Sequence, residues 1–307
     1  MKIAVPDKIS PSYFVAEAAV ELGFFKAEGL DVSLELVYPV DNAYKALRDG
    51  TIDFVGGAAH AVPSAFPGFK GAKLIAAQAQ GMYWFLVMHS DLRVRRGDFD
   101  AVKGRTIGAA PWVNMGLRGL LTAAGLDLER DKVTIAPVPG ILGTVPNFGV
   151  MAARAVEDRK LDGFWANGMG AEVAVRGGFG TVVADARRGD GPKQCFNYTA
   201  PVIVTSDALI ERSPETVAAA VRAIVKTQAA LKADVSRAGE VGRKLFPPAE
   251  AELIIELIRR DLPYYDAALS REFIAGVTAF LRSQGVLDSD VRYEDIVATQ
   301  YAPLWKA

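Results

Sequence analysis

Along the chain, short apolar runs alternate with stretches whose apolar positions recur every three or four residues. The short runs fall at residues 2–5, 32–36, 52–55, 74–80, 85–89, 106–109, 133–138, 163–165, 181–184 and 201–205, all of strand length. Between them, Phe14, Val15, Ala18, Ala19 and Leu22 mark one helical face over 12–22. The same spacing predicts helices over 41–49, 115–124, 148–158 and 170–176, and a short one over 60–66. After residue 205 the pattern is almost wholly helical, over 214–231, 238–245, 249–262, 270–284 and 293–299. Ser213 ahead of Pro214 reads as an N-cap with proline at the first helical position. Gly50 stops the 41–49 helix.

Strands that alternate with helices argue for parallel sheets, and here the series runs twice. A strand opens a βα unit at 2–5 and again at 106–109, and a short strand ends in small residues at 52–57 and again at 163–168. The expected fold class is α/β, built as two lobes with a helical C-terminal part.

Composition narrows the function classes. The chain has 307 residues, half of them apolar and 23% charged, which suits packed domains and excludes a disordered chain. Lys+Arg 35 against Asp+Glu 36 gives a net charge of −1 with no basic arm or acidic tail, so no nucleic-acid partner is expected. One cysteine excludes an internal disulfide, and with two histidines it leaves no thiolate–imidazole zinc cluster. Neither a metal nor a cofactor is expected. No apolar run approaches the roughly 18 residues of a membrane helix, so no membrane insertion is expected. The start reads as a first strand, not as a secretory signal. The protein is therefore cytoplasmic if Met1 is the native start, or periplasmic if a signal was removed. Gly-x-Gly-x-x-Gly after the first strand, a P-loop, Gly-x-Ser-x-Gly and His-Glu-x-x-His are all absent from the sequence.

In open α/β sheets ligands sit beyond the carboxyl ends of the strands. That rule selects the loops 7–13, 56–60, 78–84, 110–114 and 166–170, which combine small residues with aromatic, amide or hydroxyl groups. Such a mixture suits a small-molecule pocket. The candidate ligand contacts are Ser10, Ser12, Tyr13, Gly57, Ala58, His60, Trp84, Trp112, Asn114, Trp165 and Asn167. The tryptophans would stack on the ligand, Asn114 and the helix it caps would hold an anionic group, and His60 would hydrogen-bond. His89 and Trp305 read as structural. Cys195 has no histidine near it in sequence and reads as an inert thiol.

Four segments carry a family resemblance. ELGFFKAEGLDVSLELV at 21–37, ALRDGTIDFVGG at 46–57, VKGRTIGAA at 102–110 and IVTSDALIERSPETVAAAVRAIVKTQAAL at 203–231 resemble, in order and spacing, elements of the nitrate/sulfonate/taurine-type solute-binding proteins of ABC importers. That superfamily also holds the thiamine-pyrimidine synthases and an aromatic sulfinate desulfinase. The resemblance implies a periplasmic-binding-protein fold of type II, with two chain crossovers between lobes. Lobe one would take 1–90 and 200–307 and lobe two 91–199, with crossings near 88–92 and 199–202. It implies capture of a small organic ligand, aromatic or a small anion, in the inter-lobe cleft, with an ABC permease as partner. Trp112-Val113-Asn114-Met115 stands where many members carry Ser/Thr-rich residues, which favours a larger, more aromatic ligand. The cysteine cluster of the pyrimidine synthases is missing, and that activity is not carried over. A cytoplasmic enzyme on the same scaffold, of lyase or cofactor-biosynthesis type, and a ligand-sensing domain are the alternatives.

Overall fold

The computed structural model describes residues 1–141, 143 and 147–306. The first half opens with β1 (Lys2–Val5), α1 (Phe14–Glu21), α2 (Phe24–Ala27), β2 (Ser33–Leu36), α3 (Val40–Arg48), β3 (Phe54–Ala58) and β4 (Ala72–Ala77). The middle of the chain supplies β5 (Phe85–His89), β6 (Thr106–Ala109), α4 (Val113–Ala123), β7 (Thr134–Ala136), α5 (Phe148–Glu157), β8 (Gly163–Ala166), α6 (Gly168–Arg176) and β9 (Gly180–Asp185). The chain then returns through β10 (Pro201–Ser206) and ends in α7 (Asp207–Arg212), α8 (Pro214–Ala233), α9 (Arg237–Leu245), α10 (Pro248–Asp261), α11 (Arg271–Ser283) and α12 (Tyr293–Ile296).

These strands form two five-stranded sheets, ordered β2-β1-β3-β10-β4 and β7-β6-β8-β5-β9. Each sheet has the same plan. Three parallel strands come first, and a fourth runs antiparallel: β10 beside β3 in one sheet, β5 beside β8 in the other. The doubled βα series in the sequence thus corresponds to two α/β lobes joined by two crossings.

The first crossing lies elsewhere than the sequence suggested. β5 pairs with β8 and β9 of the second sheet, Phe85 facing Ala166 on one side and Asp185 on the other. The chain therefore leaves the first sheet after Ala77 and passes through residues 78–84, not 88–92. An apolar five-residue strand satisfies either sheet equally, and its pattern carries no information on which one it joins. The return is at Thr199 and Ala200, immediately before β10.

Local packing explains several residue choices. β3 is buried throughout, and a Cβ on Gly57 would sit 2.7 Å from the Tyr44 hydroxyl oxygen. The missing side chain lets Tyr44 lie flat on the strand and donate to the Ala58 carbonyl at 2.9 Å. In α8, Ser213 holds the N-cap position ahead of Pro214, but its hydroxyl makes no capping bond. The N-terminus of that helix thus relies on proline's fixed φ and on Glu215 in its first turn. Trp305 is a packing residue, its indole N–H donating to the Ile75 carbonyl of β4 at 2.8 Å.

Candidate functional site

Between the lobes, the loops at the carboxyl ends of strands from both sheets meet. Asp7, Ser12 and Tyr13 follow β1, Tyr38 and Pro39 follow β2, Ala110, Pro111 and Val113 follow β6, and Asn167 follows β8. Together with Trp84 and Phe148 they wall a void of about 30 Å³. It adjoins a wider hollow of about 370 Å³ that shares Tyr38, Pro39, Pro111 and Phe148 and extends toward Asn42, Val138 and Ile141. A separate hollow of about 310 Å³ lies behind Ser12, against α6, β9 and α10. Its charged rim is tied up in ion pairs, Arg188 with Asp185 and Asp261 and Arg260 with Glu172.

Aromatic rings dominate the walls of the cleft. Tyr38 stacks on Phe148 across the lobes, centroids 6.0 Å apart and planes 21° from parallel. The Tyr13 and Tyr83 hydroxyls share a hydrogen bond of 2.9 Å, and Tyr83 leans on Trp84 with centroids 4.7 Å apart. Burial pushes both phenols above their ordinary range, which keeps them neutral hydrogen-bonding groups.

The polar centre of the cleft is Asp7. One of its oxygens accepts from the backbone N–H of Phe148 at the start of α5 at 3.3 Å, and the other accepts from the Asn167 side-chain amide. Asn167 in turn caps α6, its Oδ1 accepting from Met169 and Gly170 at 2.9 and 3.2 Å. Two glycines allow this convergence. A Cβ on Gly149 would lie 2.5 Å from the Asn167 amide, and one on Gly170 would lie 2.3 Å from the Gly149 carbonyl. Burial lifts the Asp7 carboxyl to about 7, against the pull of its two hydrogen bonds.

His60 is bonded through both ring nitrogens. Nε2 lies 2.9 Å from the Trp112 carbonyl and Nδ1 lies 3.0 Å from the Thr199 hydroxyl. A carbonyl only accepts, so Nε2 carries the proton and Nδ1 accepts from Thr199. The ring stands among Trp84, Trp112 and Phe280. Burial there lowers its pKa to about 4 despite the Trp112 carbonyl, so the ring is neutral at physiological pH.

Of the residues singled out in the sequence, Ser12, Tyr13, Trp84 and Asn167 border the cleft. The other seven do not. Ser10 is buried within the loop, where its hydroxyl accepts from the Ser12 N–H at 3.0 Å. Gly57 and Ala58 are interior β3 residues paired with β10 and covered by Tyr44. His60 is fully engaged, and Trp165 is buried in β8 with its indole N–H donating to the Val113 carbonyl at 3.1 Å. Trp112, at φ 67°, holds the cap position of α4, and Asn114 falls inside the first turn without capping it. The amides of Asn114 and Met115 return to the carbonyls of Ala110 and Trp112. Sequence reasoning missed Asp7, Tyr38 and Phe148. Asp7 stands at the head of a loop that the strand-end rule selects, whereas the loop after β2 lies outside the five loops named from the sequence.

Comparison with known proteins agrees with this architecture. Across 98% of the chain and 95% of the other, the fold matches a solved Bordetella bronchiseptica RB50 protein with a TM-score of 0.76 at 24% identity. It also matches the alkanesulfonate-binding protein SsuA from Xanthomonas axonopodis pv. citri bound to MOPS, with a TM-score of 0.69 at 15% identity over 98% of this chain and 96% of that one. In sequence, the riboflavin-binding protein RibY of Chloroflexus aurantiacus is 24% identical, over 97% of this chain and 84% of its own. The model of the NMT1/THI5-like family matches residues 11–238, more than half of the chain, and the protein belongs to that family.

Proposed function

We propose that this protein is the solute-binding component of an ABC-type importer, working outside the cytoplasm, and that it captures a small organic molecule in the cleft between its lobes. The observation that carries this reading is the origin of the cleft walls. Side chains from strand-end loops of both sheets face one space, and Asp7 and Tyr38 of one lobe meet Asn167 and Phe148 of the other across it. A ligand held there touches both lobes only when they are together. Its differential affinity for the closed arrangement shifts the population toward closure, and a permease can read the closed shape. The names of the relatives above, binding proteins for an alkanesulfonate and for riboflavin, support capture without chemistry.

An enzyme on this scaffold is the weaker reading for reasons at the residues themselves. Burial pushes the Cys195 thiol up to about 11, the reverse of what a nucleophilic thiolate needs. His60 has no free nitrogen with which to act as a general base. Native mass spectrometry of the purified protein should reveal a co-purified small molecule. After incubation with that molecule, its mass should be unchanged and its stoichiometry one per chain. A converted mass would replace capture with catalysis.

A further inference from the structure

The cleft lies between three helix N-termini, those of α4, α5 and α6, the kind of place where free N–H groups hold an anion. In this protein the chain's own side chains already take donors at α5 and α6, and at α4 the Asn114 and Met115 amides return to backbone carbonyls. Asp7 accepts from Phe148 on α5 and from Asn167 beside α6, Asn147 accepts from Val150 at 3.0 Å, and Asn167 accepts from Met169 and Gly170. The Asp7 carboxyl fills that position whether or not it carries a proton. A second observation is independent of the helices. Among the described residues lining the void and the adjoining hollow there is no lysine, arginine or histidine, and Asp7 is the only acidic side chain. An anionic ligand would lose its hydration and meet a carboxyl group in return, with no cation to offset the cost.

We infer that Asp7 sets the ligand class of the cleft: it stands in for the anionic group of a ligand, so the cleft takes an aromatic molecule without negative charge and turns sulfonates away. This rests on the solute-capture reading above and gives it a substrate class. Tyr13, Tyr38, Trp84 and Phe148 supply the apolar faces for such a molecule, and the Ser12 hydroxyl, buried and without a partner, is left to hydrogen-bond it.

The test titrates the full chain with MOPS and with riboflavin, by calorimetry, in wild type and in Asp7→Ala. Wild type should give no MOPS binding within the range of the titration, and Asp7→Ala, which frees the Phe148 and Asn167 donors, should bind MOPS at least tenfold more tightly than the weakest Kd that range detects. Thermal melting checks that the variant folds. If it does not, Asp7→Asn keeps the volume, removes the charge and should still raise MOPS affinity above wild type. Equal MOPS affinity in wild type and variant, or none in either, overturns the role of Asp7 and leaves solute capture standing. Failure of capture reads differently: wild type takes up neither MOPS nor riboflavin, and native mass spectrometry finds no small molecule on the protein.

Discussion

The Trp112 carbonyl meets Nε2 of His60 at 2.9 Å, joining the loop after β6 in one lobe to the segment after β3 in the other. Trp112 presents that carbonyl from a left-handed backbone conformation, φ 67°, which a bulky residue adopts only under constraint. The histidine is thus an inter-lobe tie. His60→Leu removes the two side-chain hydrogen bonds of a buried ring and leaves the Thr199 O–H without its acceptor, and should cost about 1–3 kcal/mol at neutral pH, read by urea melting. It should also alter the acid limb. The folded pKa of about 4 lies below the ordinary 6.5, so wild type loses stability as pH falls from 6.5 toward 4, where only the unfolded chain takes the proton. The variant should lack that slope; an unchanged slope would remove His60 from the account.

Asp7 acts with the opposite sign. Its carboxyl rises from 3.8 to about 7 in the folded protein, so the folded state holds a proton that the unfolded state has released. Stability contributed by Asp7 is fully present below 3.8 and is lost as pH rises through 7. Asp7→Asn should therefore gain on wild type across that window and level off above it, by on the order of 1–4 kcal/mol. Thermal melts of the pair across pH measure the gap, and a gap that is constant with pH would contradict the buried, proton-holding carboxyl.

Two aromatic substitutions should separate wall from scaffold. Tyr38→Ala removes a half-buried ring that stacks on Phe148 over the cleft. It should weaken uptake of the cleft ligand at least tenfold, about 1.4 kcal/mol, with a small effect on melting. Trp165→Phe removes the bond to the Val113 carbonyl and should lower stability by about 1 kcal/mol while leaving affinity within twofold. The reverse pattern, with affinity following Trp165, would return that tryptophan to the ligand.

Cys195 is fully buried and its thiol is pushed up to about 11. It should resist a thiol-labelling reagent at pH 8 in the folded protein and react promptly in denaturant. Rapid labelling of the native protein would show a thiolate that this packing does not provide.

Much of the fold was legible because periodicity is a local property. The ten strands were each anticipated near their observed positions, since an apolar run of four to six residues registers in any sequence window. The place of β5 was not legible, because pairing with β8 instead of with a strand of the first sheet is a choice between distant partners. At the site, Tyr13 and Asn167 were found by the strand-end rule, and the same rule led to Gly57, Ala58 and Trp165, which turned out to be interior. A loop can be located from its flanking strands, but which of its side chains faces out depends on φ and ψ. Asn114 shows the difference: two residues of shift, with Trp112 taking the cap, remove it from the capping position.

By itself the sequence determined the class of the fold, its two-fold plan of βα units and its helical end, because those depend on burial patterns that repeat within a dozen residues. The tertiary structure alone decided that Asp7 closes on α5 and α6 from the opposite lobe, 141 and 160 residues away along the chain. It also placed His60 against Trp112 and kept both out of the cavity. Hydrogen bonds made across such separations leave no periodic trace, since each partner is an ordinary polar residue until the lobes meet.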